Sequence, residues 1–146
     1  MMSTRMTAAE RENFLAGTHI GVLSVADGGA GPMAVPIWYG YEPGGELRFA
    51  TSPGSRKMGL VRAAGRVSFT VQQEAMPYKY VSVEGPVIGD EATSLTEYRE
   101  WSIRYLGPEA GERFFASAEE FIRSMRTVRV RPERWRTYDF GKEFTV

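Results

Sequence analysis

The sequence is divided by short segments rich in glycine and proline, and their spacing limits the possible folds more than any other feature. Turn-forming residues occupy positions 27–32 and 42–45, and the flanking segments 19–26, 33–41 and 46–51 are rich in residues that favour strands. Loops this short usually join neighbouring antiparallel strands. The first third of the chain therefore predicts a sheet of hairpin-connected strands.

Three later segments complete the set of predicted strands. Residues 67–71 and 78–87 alternate apolar with polar side chains, as a half-buried strand does, and residues 127–138 return to strand-forming composition. The strand that contains Pro36 is expected at a sheet edge or at a bulge, because proline cannot donate a ladder hydrogen bond. The sequence thus predicts six strands.

Helix signals separate some of these strands. The Ser/Thr-x-x-Glu motif of a helix N-terminus occurs at residues 7–10 and 94–97. A short helix is predicted over about residues 56–64, and another begins after the Gly-Pro pair at 107–108, because proline suits a first helical turn. These elements predict one domain over residues 1–146 that is mainly β (α+β), a partly open barrel with short helices.

Composition excludes several kinds of chemistry. The chain has no cysteine and one histidine, His19, so thiolate metal sites, cysteine nucleophiles and multi-histidine metal centres are excluded. Lysine plus arginine equals aspartate plus glutamate, 18 each, which gives no overall field for nucleic acid or an anionic membrane. We find neither a secretion signal nor an apolar run near the ~20 residues of a membrane span. A soluble, cytoplasmic protein is expected.

The stretch between the third and fourth predicted strands carries the clearest chemical signal. Ser55, Arg56 and Lys57 lie where a turn enters the short helix, just after Thr51 and Ser52. Amides at a helix start have no intrahelical acceptor, and the helix dipole is positive there. These groups predict a site for a phosphate-like anion. The alternative is an ordinary solvated turn.

Other candidate residues leave more than one interpretation open. Trp38, Tyr39 and Tyr41 suit either a core or a ligand platform. His19 is expected to be structural, because no carboxylate or serine stands at motif spacing from it. Five arginines between residues 126 and 136 form either a solvated strand face or part of an anion pocket. Since no hydrolytic set emerges, an enzymatic role would depend on a phosphate-bearing organic cofactor.

Three segments together resemble a known superfamily. Residues 51–57 read Thr-Ser-Pro-Gly-Ser-Arg-Lys, residues 65–69 read Gly-Arg-Val-Ser-Phe, and residues 78–86 read Tyr-Lys-Tyr-Val-Ser-Val-Glu-Gly-Pro. They resemble the pyridoxamine 5'-phosphate oxidase-like FMN-binding split-barrel superfamily, and within it the PPOX-class deazaflavin reductases that use coenzyme F420. The resemblance covers about residues 19–138. It implies a six-stranded antiparallel split β-barrel that dimerises, with two cofactor sites in grooves between protomers.

The resemblance also implies which residues hold the cofactor. The phosphate would be bound by Ser55, Arg56 and Lys57, with support from Thr51 and Ser52. The ring system of the cofactor would be lined by Pro36, Ile37 and Trp38. The second protomer would contribute Tyr78, Lys79 and Tyr80. Two further residues, Arg129 and Trp135, match the family's last strand more loosely.

The implied function is an oxidoreductase in which reduced coenzyme F420 transfers hydride to an unsaturated or conjugated small organic substrate. No catalytic side chain is identified, and no metal is expected. One alternative keeps the fold and places FMN in the groove, as an oxidase or flavin reductase. Another is a non-catalytic module that binds a cofactor or haem. The expected partners are the substrate and a second copy of the chain, with no nucleic acid and no membrane.

Overall fold

A computed structural model describes residues 3–144 of the chain. It confirms the α+β class and the antiparallel half-barrel. The elements, in chain order, are α1 (Ala8–Leu15), β1 (Gly21–Val25), β2 (Met33–Ile37), β3 (Leu47–Thr51), α2 (Arg56–Ala64), β4 (Arg66–Gln73), β5 (Lys79–Ala92), α3 (Leu95–Leu106), α4 (Pro108–Arg123), β6 (Arg126–Val130), β7 (Arg134–Asp139) and a 3-10 helix (Phe140–Lys142).

The strands form an antiparallel sheet that is organised around the long strand β5. The order is β2-β1-β4-β5-β6-β3, and β7 also pairs with β5. The first half of β5 lies between β4 and β7. The second half pairs with β6 from Val87 onwards, and the register of this pairing shifts between Val87 and Gly89. Gly85 precedes this shift, where a Cβ atom would lie 1.8 Å from the Arg131 carbonyl oxygen, so only glycine allows the backbones to approach.

Two predictions about individual strands have different outcomes. Strand β2, which contains Pro36, is an edge strand, as the missing amide proton predicted. The single strand predicted over residues 127–138 is instead two strands, β6 and β7, and Pro132 lies in the short segment between them. Proline lacks the amide proton that a continuous strand would need there. Strand β6 pairs with β3 and the end of β5, whereas β7 pairs with the start of β5.

Two apolar clusters hold these elements together. The larger one fills the half-barrel and includes Leu23, Phe49 and Phe69, each fully buried. The smaller one lies under the antiparallel helices α3 and α4 and is centred on Trp101 and Ile122. The second cluster attaches the helical pair to the end of β2, through Trp38 and its neighbours.

No element within residues 3–144 covers the other side of the sheet, which we call the outer face. It consists of the outward positions of β1, β2, β4 and β5. Most of them are small or neutral, namely Ala34, Pro36, Val22, Ser24, Ser68, Thr70, Tyr80 and Ser82, and the charged Arg66 and Glu84 lie towards one end. Val22 and Tyr80 are exposed on it. An open face whose central positions are uncharged is suited to contact with another protein surface.

None of the helices in residues 3–144 has the length and apolar character needed to cross a bilayer.

Candidate functional site

The candidate site begins at the N-terminus of α2, in a turn that closes on itself. Ser55 is the N-cap residue, and its hydroxyl accepts a hydrogen bond of 3.1 Å from the Met58 amide. The same hydroxyl donates to the Ser52 carbonyl oxygen at 2.9 Å and lies 3.2 Å from the Thr51 hydroxyl. Thr51, Ser52 and Ser55 therefore fix the shape of the turn, and Ser55 does so with its side chain already engaged.

Apolar contacts determine which way α2 faces. Met58 and Val61 are buried in the barrel core, and Gly65 ends the helix in the left-handed conformation with a φ of 68°. This orientation leaves Arg56 exposed and Lys57 half-buried at the start of the helix. Local capping signals and two buried residues are thus sufficient to place the predicted cations at the helix N-terminus.

The helix start keeps several hydrogen-bond donors open. The amides of Arg56 and Lys57 precede the first residue that the cap satisfies, and neither has an acceptor within residues 3–144. The Lys57 ammonium likewise has no ion-pair partner in the part of the chain that the structure describes. Arg56 differs, because its guanidinium lies 2.5 Å from the Asp27 carboxylate in the turn between β1 and β2.

This donor set fits a phosphate group. Two open amides at the positive end of a helix and one unpaired ammonium supply the directed hydrogen bonds and the charge that an oxyanion needs. Arg56 could contribute a second cation by leaving Asp27. The cluster offers hydrogen-bond donors and positive charge, which can hold and orient an anion.

The residues predicted to line a ring system lie together along the chain but point in different directions. Pro36 is on the outer face, whereas Ile37 packs against the barrel core. Trp38 lies under the helical pair, where it stacks on Tyr105 with ring centroids 4.8 Å apart and meets Phe114 edge-on at 5.6 Å. In one chain, therefore, only Pro36 of the three is presented on the outer face.

The segment at the start of β5 is distant from α2 along the sheet. Tyr80 pairs with Gln72 near the end of β4, whereas α2 leads into the beginning of that strand. Tyr80 is exposed on the outer face and stacks on Tyr138 at 6.0 Å, and Tyr78 meets Phe140 edge-on at 6.0 Å. Lys79 lies between them and pairs with Asp139 of β7 in the strand register. We call the turn and helix start that contain Ser55, Arg56 and Lys57 the α2 corner. Contact between the Tyr78–Tyr80 segment and an α2 corner would require a second chain.

The two residues that match the family's last strand more loosely have separate roles in this structure. Arg129 is held between two carboxylates, 2.8 Å from Glu46 and 2.5 Å from Glu91, and these hydrogen bonds raise its pKa further. Trp135 is half-buried, with the Arg11 guanidinium 4.5 Å above its ring. Neither residue lies in the turn that contains Ser55.

The structure adds two residues that sequence reasoning did not find. Asp27 is the ion-pair partner of Arg56, 29 positions earlier in the chain. The Tyr105 hydroxyl donates to the His19 carbonyl oxygen at 2.7 Å and accepts from the Tyr39 amide at 3.2 Å, which ties α3 to β1 and β2. Both contacts span long sequence separations, and no local motif indicates either of them.

His19 makes the structural contact expected of it. Its Nε2 atom donates to the Phe14 carbonyl oxygen at 2.9 Å, and its ring packs against the Phe14 ring at 4.5 Å. Burial lowers the pKa of the imidazole, so the neutral form is favoured.

Comparison with known proteins places this geometry in a family. The family described as Pyridoxamine 5'-phosphate oxidase matches residues 7–140. No curated protein matches the sequence significantly. Among solved structures, an F420 reductase is 21% identical, with 86% of this chain and 94% of that chain covered and a TM-score of 0.68.

Two further structures support the same fold. A conserved hypothetical protein from Mycobacterium tuberculosis is 24% identical, with 98% of this chain and 93% of that chain covered and a TM-score of 0.77. A FAD-binding protein from Mesorhizobium loti is 23% identical, with 94% and 96% covered and a TM-score of 0.62. At these identities the similarity extends to the fold alone, whereas the family match spans nearly the whole chain. The chain belongs to the pyridoxamine 5'-phosphate oxidase family, with its flavin-binding split-barrel fold.

Proposed function

We propose that this protein is an oxidoreductase that uses reduced coenzyme F420 to transfer hydride to an unsaturated or conjugated small organic substrate. The observation that carries the proposal is the open N-terminus of α2, where the amides of Arg56 and Lys57 and the Lys57 ammonium lack partners within residues 3–144. In a split-barrel chain of this family, a phosphate receptor of this kind is suited to the phosphate of a flavin or deazaflavin.

In this proposal the corner anchors the cofactor and does not take part in the chemistry. Lys57 and the two open amides bind the phosphate, while Thr51, Ser52 and Ser55 keep the turn in the conformation that exposes them. The bound cofactor supplies the hydride. The protein contributes orientation, since hydride transfer needs the reacting atoms about 3–3.5 Å apart. Pro36 lies where it can support the ring from the outer face.

A homodimer forms part of the same proposal. The outer face presents small and neutral side chains around Val22 and Thr70, and Tyr80 is exposed on it. Pairing of two such faces would bury them and would bring the Tyr78–Tyr80 segment of one chain towards the α2 corner of the other. The separation of these two groups within one chain supports this arrangement.

The choice of F420 over FMN is supported by similarity of fold to an F420 reductase. The FAD-binding protein among the similar structures favours the second candidate, an FMN-dependent oxidase or flavin reductase. Both cofactors would use the same phosphate corner, so the corner itself does not select between them.

A parallel titration with F420 and FMN tests the proposal. We expect the purified protein to be colourless and to bind F420 at micromolar concentration, with one site per chain. Stoichiometric bound FMN in a yellow protein would favour the second candidate. Tight F420 binding without turnover across a panel of conjugated enones would instead indicate a non-catalytic cofactor-binding module.

A further inference from the structure

A second group of positively charged side chains lies away from α2, in a cavity that we call the arginine pocket. Its volume is about 410 Å³. It is formed by the start of the chain, α1 and β7, together with one residue of β5, and its lining includes Arg5, Arg11, Tyr80, Trp135, Arg136 and Thr137. Of these, Tyr80 belongs to the residues implied for the cofactor, and Trp135 is one of the two residues that match the family's last strand more loosely. Arg136 is the last of the five arginines between residues 126 and 136.

The charge in the arginine pocket is poorly compensated. Neither Arg5 nor Arg11 forms an ion pair within residues 3–144, and no aspartate or glutamate lines the cavity. The nearest carboxylate to Arg136 is that of Glu84, at 3.8 Å, and Glu84 also pairs with Arg134 at 3.5 Å. Three guanidinium groups therefore share one cavity with little neutralising charge, whereas Arg126 and Arg129 on β6 are closely paired.

Arg11 provides the most specific observation. Its guanidinium carbon lies 4.5 Å from the centre of the Trp135 ring, which is a cation–π contact. Its Nε atom is buried and has no hydrogen-bond partner within residues 3–144. The rest of the guanidinium also forms no hydrogen bond or ion pair within residues 3–144, although Arg11 lines the cavity. A charged donor without an acceptor is costly, so its terminal nitrogens favour a ligand that brings an oxyanion into the cavity.

Neutral groups in the cavity can complete the binding site. The Thr137 hydroxyl accepts a hydrogen bond of 2.9 Å from the Met6 amide, which leaves its own proton available to donate. Tyr80 is 41% exposed in one chain and forms part of the wall. The cavity thus offers charged and neutral donors for acidic oxygens, beside an aromatic surface on which the carbon skeleton of a small organic anion can pack.

We infer that the arginine pocket binds a small organic molecule that carries at least two acidic groups, either phosphates or carboxylates. Three guanidiniums exceed the need of a single carboxylate, and a volume of about 410 Å³ falls in the ~300–1,000 Å³ range of small-molecule sites. Arg5, Arg11 and Arg136 lie apart from the α2 corner of the same chain. Tyr80 belongs to the segment that the proposed dimer would bring towards the partner's corner, so the inference rests on the three arginines and not on Tyr80.

Calorimetric titration with pyrophosphate and with citrate, at low ionic strength, tests the inference. We expect at least one of the two probes to bind, and Arg11→Gln or Arg136→Gln to weaken that binding by roughly 10- to 100-fold, the scale of a charged hydrogen bond. Arg113→Gln, which removes an exposed positive charge on α4, is the matched control and should leave the affinity unchanged. Tighter pyrophosphate binding would identify phosphates as the acidic groups, and tighter citrate binding would identify carboxylates.

Lys57→Gln separates this site from the α2 corner. The arginine pocket should still bind its probe in this variant. Binding should also change the tryptophan fluorescence of the protein, because Trp135 lines the cavity, and Trp135→Phe should remove that change. The inference is wrong if neither probe binds, or if Lys57→Gln abolishes all binding. It is also wrong if Arg11→Gln and Arg136→Gln, shown to be folded by near-ultraviolet circular dichroism, both bind like the unaltered protein.

Discussion

Arg56 donates a hydrogen bond of 2.5 Å to Asp27, which joins the first residue of α2 to the turn between β1 and β2. The Arg56 side chain is 68% exposed, so this ion pair is screened by solvent and contributes little to stability. Its larger effect is on the candidate phosphate site. Asp27 neutralises one of the two cations at the helix start and competes with any incoming anion for it.

Removing this competition should strengthen cofactor binding. We expect Asp27→Asn to raise the affinity for F420 or FMN by about 1.5- to 5-fold, which corresponds to the ~0.2–1 kcal/mol of an exposed ion pair. The measurement is a fluorescence titration at low and high salt, and the gain should shrink as salt increases. Glu119→Gln is the control, because it removes a carboxylate from a comparable exposed pair with Arg123 on α4. An unchanged affinity in Asp27→Asn would mean that Arg56 does not contact the phosphate.

Because of the same ion pair, we expect Arg56 and Lys57 to contribute unequally to the affinity for the cofactor. Lys57→Ala should weaken cofactor binding by about 1.5–3 kcal/mol, the cost of losing a charged hydrogen bond. Arg56→Ala should cost less, because Arg56 must first leave Asp27. Both affinities are measured by the same titration, with Arg113→Ala as a control for the loss of one positive charge. If both corner variants bind normally while folded, the corner is only a solvated turn.

Local signals in the sequence were sufficient to locate the corner but not its partners. The cap at Ser55 and the left-handed Gly65 follow from neighbouring residues, and so does the edge position of Pro36. The Ser94 cap also forms, with 3.2 Å between its Oγ atom and the Glu97 amide nitrogen. These features depend on hydrogen bonds and backbone geometry within a few positions, which the sequence displays directly.

Features that depend on distant contacts could not be read in this way. The Glu97 carboxylate bonds to Arg48 at 2.8 Å, 49 positions away, instead of accepting a hydrogen bond from the amide of the N-cap residue Ser94. Trp38 follows β2 in sequence, yet it is packed by residues of α3 and α4. The orientation of these side chains is set by how the helical pair docks, and periodicity alone does not determine that.

Tyr105 should determine how firmly α3 holds the end of β2. Tyr105→Phe keeps the ring that stacks on Trp38 but removes the hydroxyl that bridges His19 and Tyr39. We expect a loss of about 1–3 kcal/mol in the free energy of unfolding, because the Tyr39 amide loses its acceptor. Urea unfolding gives this value, and cofactor titration should show a parallel loss of affinity if Trp38 helps to position the ring.

Tyr98→Phe is the matched control for this substitution. Tyr98 also lies on α3 and packs beside Trp38, at 6.1 Å between ring centroids, but its hydroxyl forms no hydrogen bond within residues 3–144. Its removal should leave stability within about 0.5 kcal/mol of the unaltered protein. Equal losses in the two variants would show that the Tyr105 bridge is not the cause.

The proposed dimer predicts a specific sensitivity of the outer face. Val22 is central on this face, between Pro36 of β2 and Thr70 of β4. Val22→Arg would place two charges against each other across a symmetric interface, so we expect 16.3-kDa monomers instead of dimers and a loss of cofactor binding. Light scattering after size-exclusion chromatography measures the mass. Ala116→Arg, on the exposed side of α4, should remain dimeric, and a monomeric unaltered protein would contradict the arrangement.

The pH dependence of the free energy of unfolding, on the acid side, should depend on Glu10. Its carboxylate accepts hydrogen bonds from Lys142 at 2.6 Å and from the Thr7 amide at 2.8 Å, and these contacts, with Lys142 the larger, lower its pKa to about 2. A carboxyl whose pKa is lower in the folded state stabilises the protein fully above its ordinary value, and that contribution is lost as pH falls towards the folded value.

Glu10→Gln retains the neutral capping contact with Thr7 and removes the charge, so it isolates this contribution. In urea unfolding we expect the unaltered protein to exceed Glu10→Gln in stability at pH 7, and the difference to shrink between about pH 5 and pH 2. Lys142→Met should reduce the same pH dependence, because it removes the main cause of the shift. A difference between the unaltered protein and Glu10→Gln that stays constant down to pH 2 would show that the ion pair with Lys142 does not form in solution.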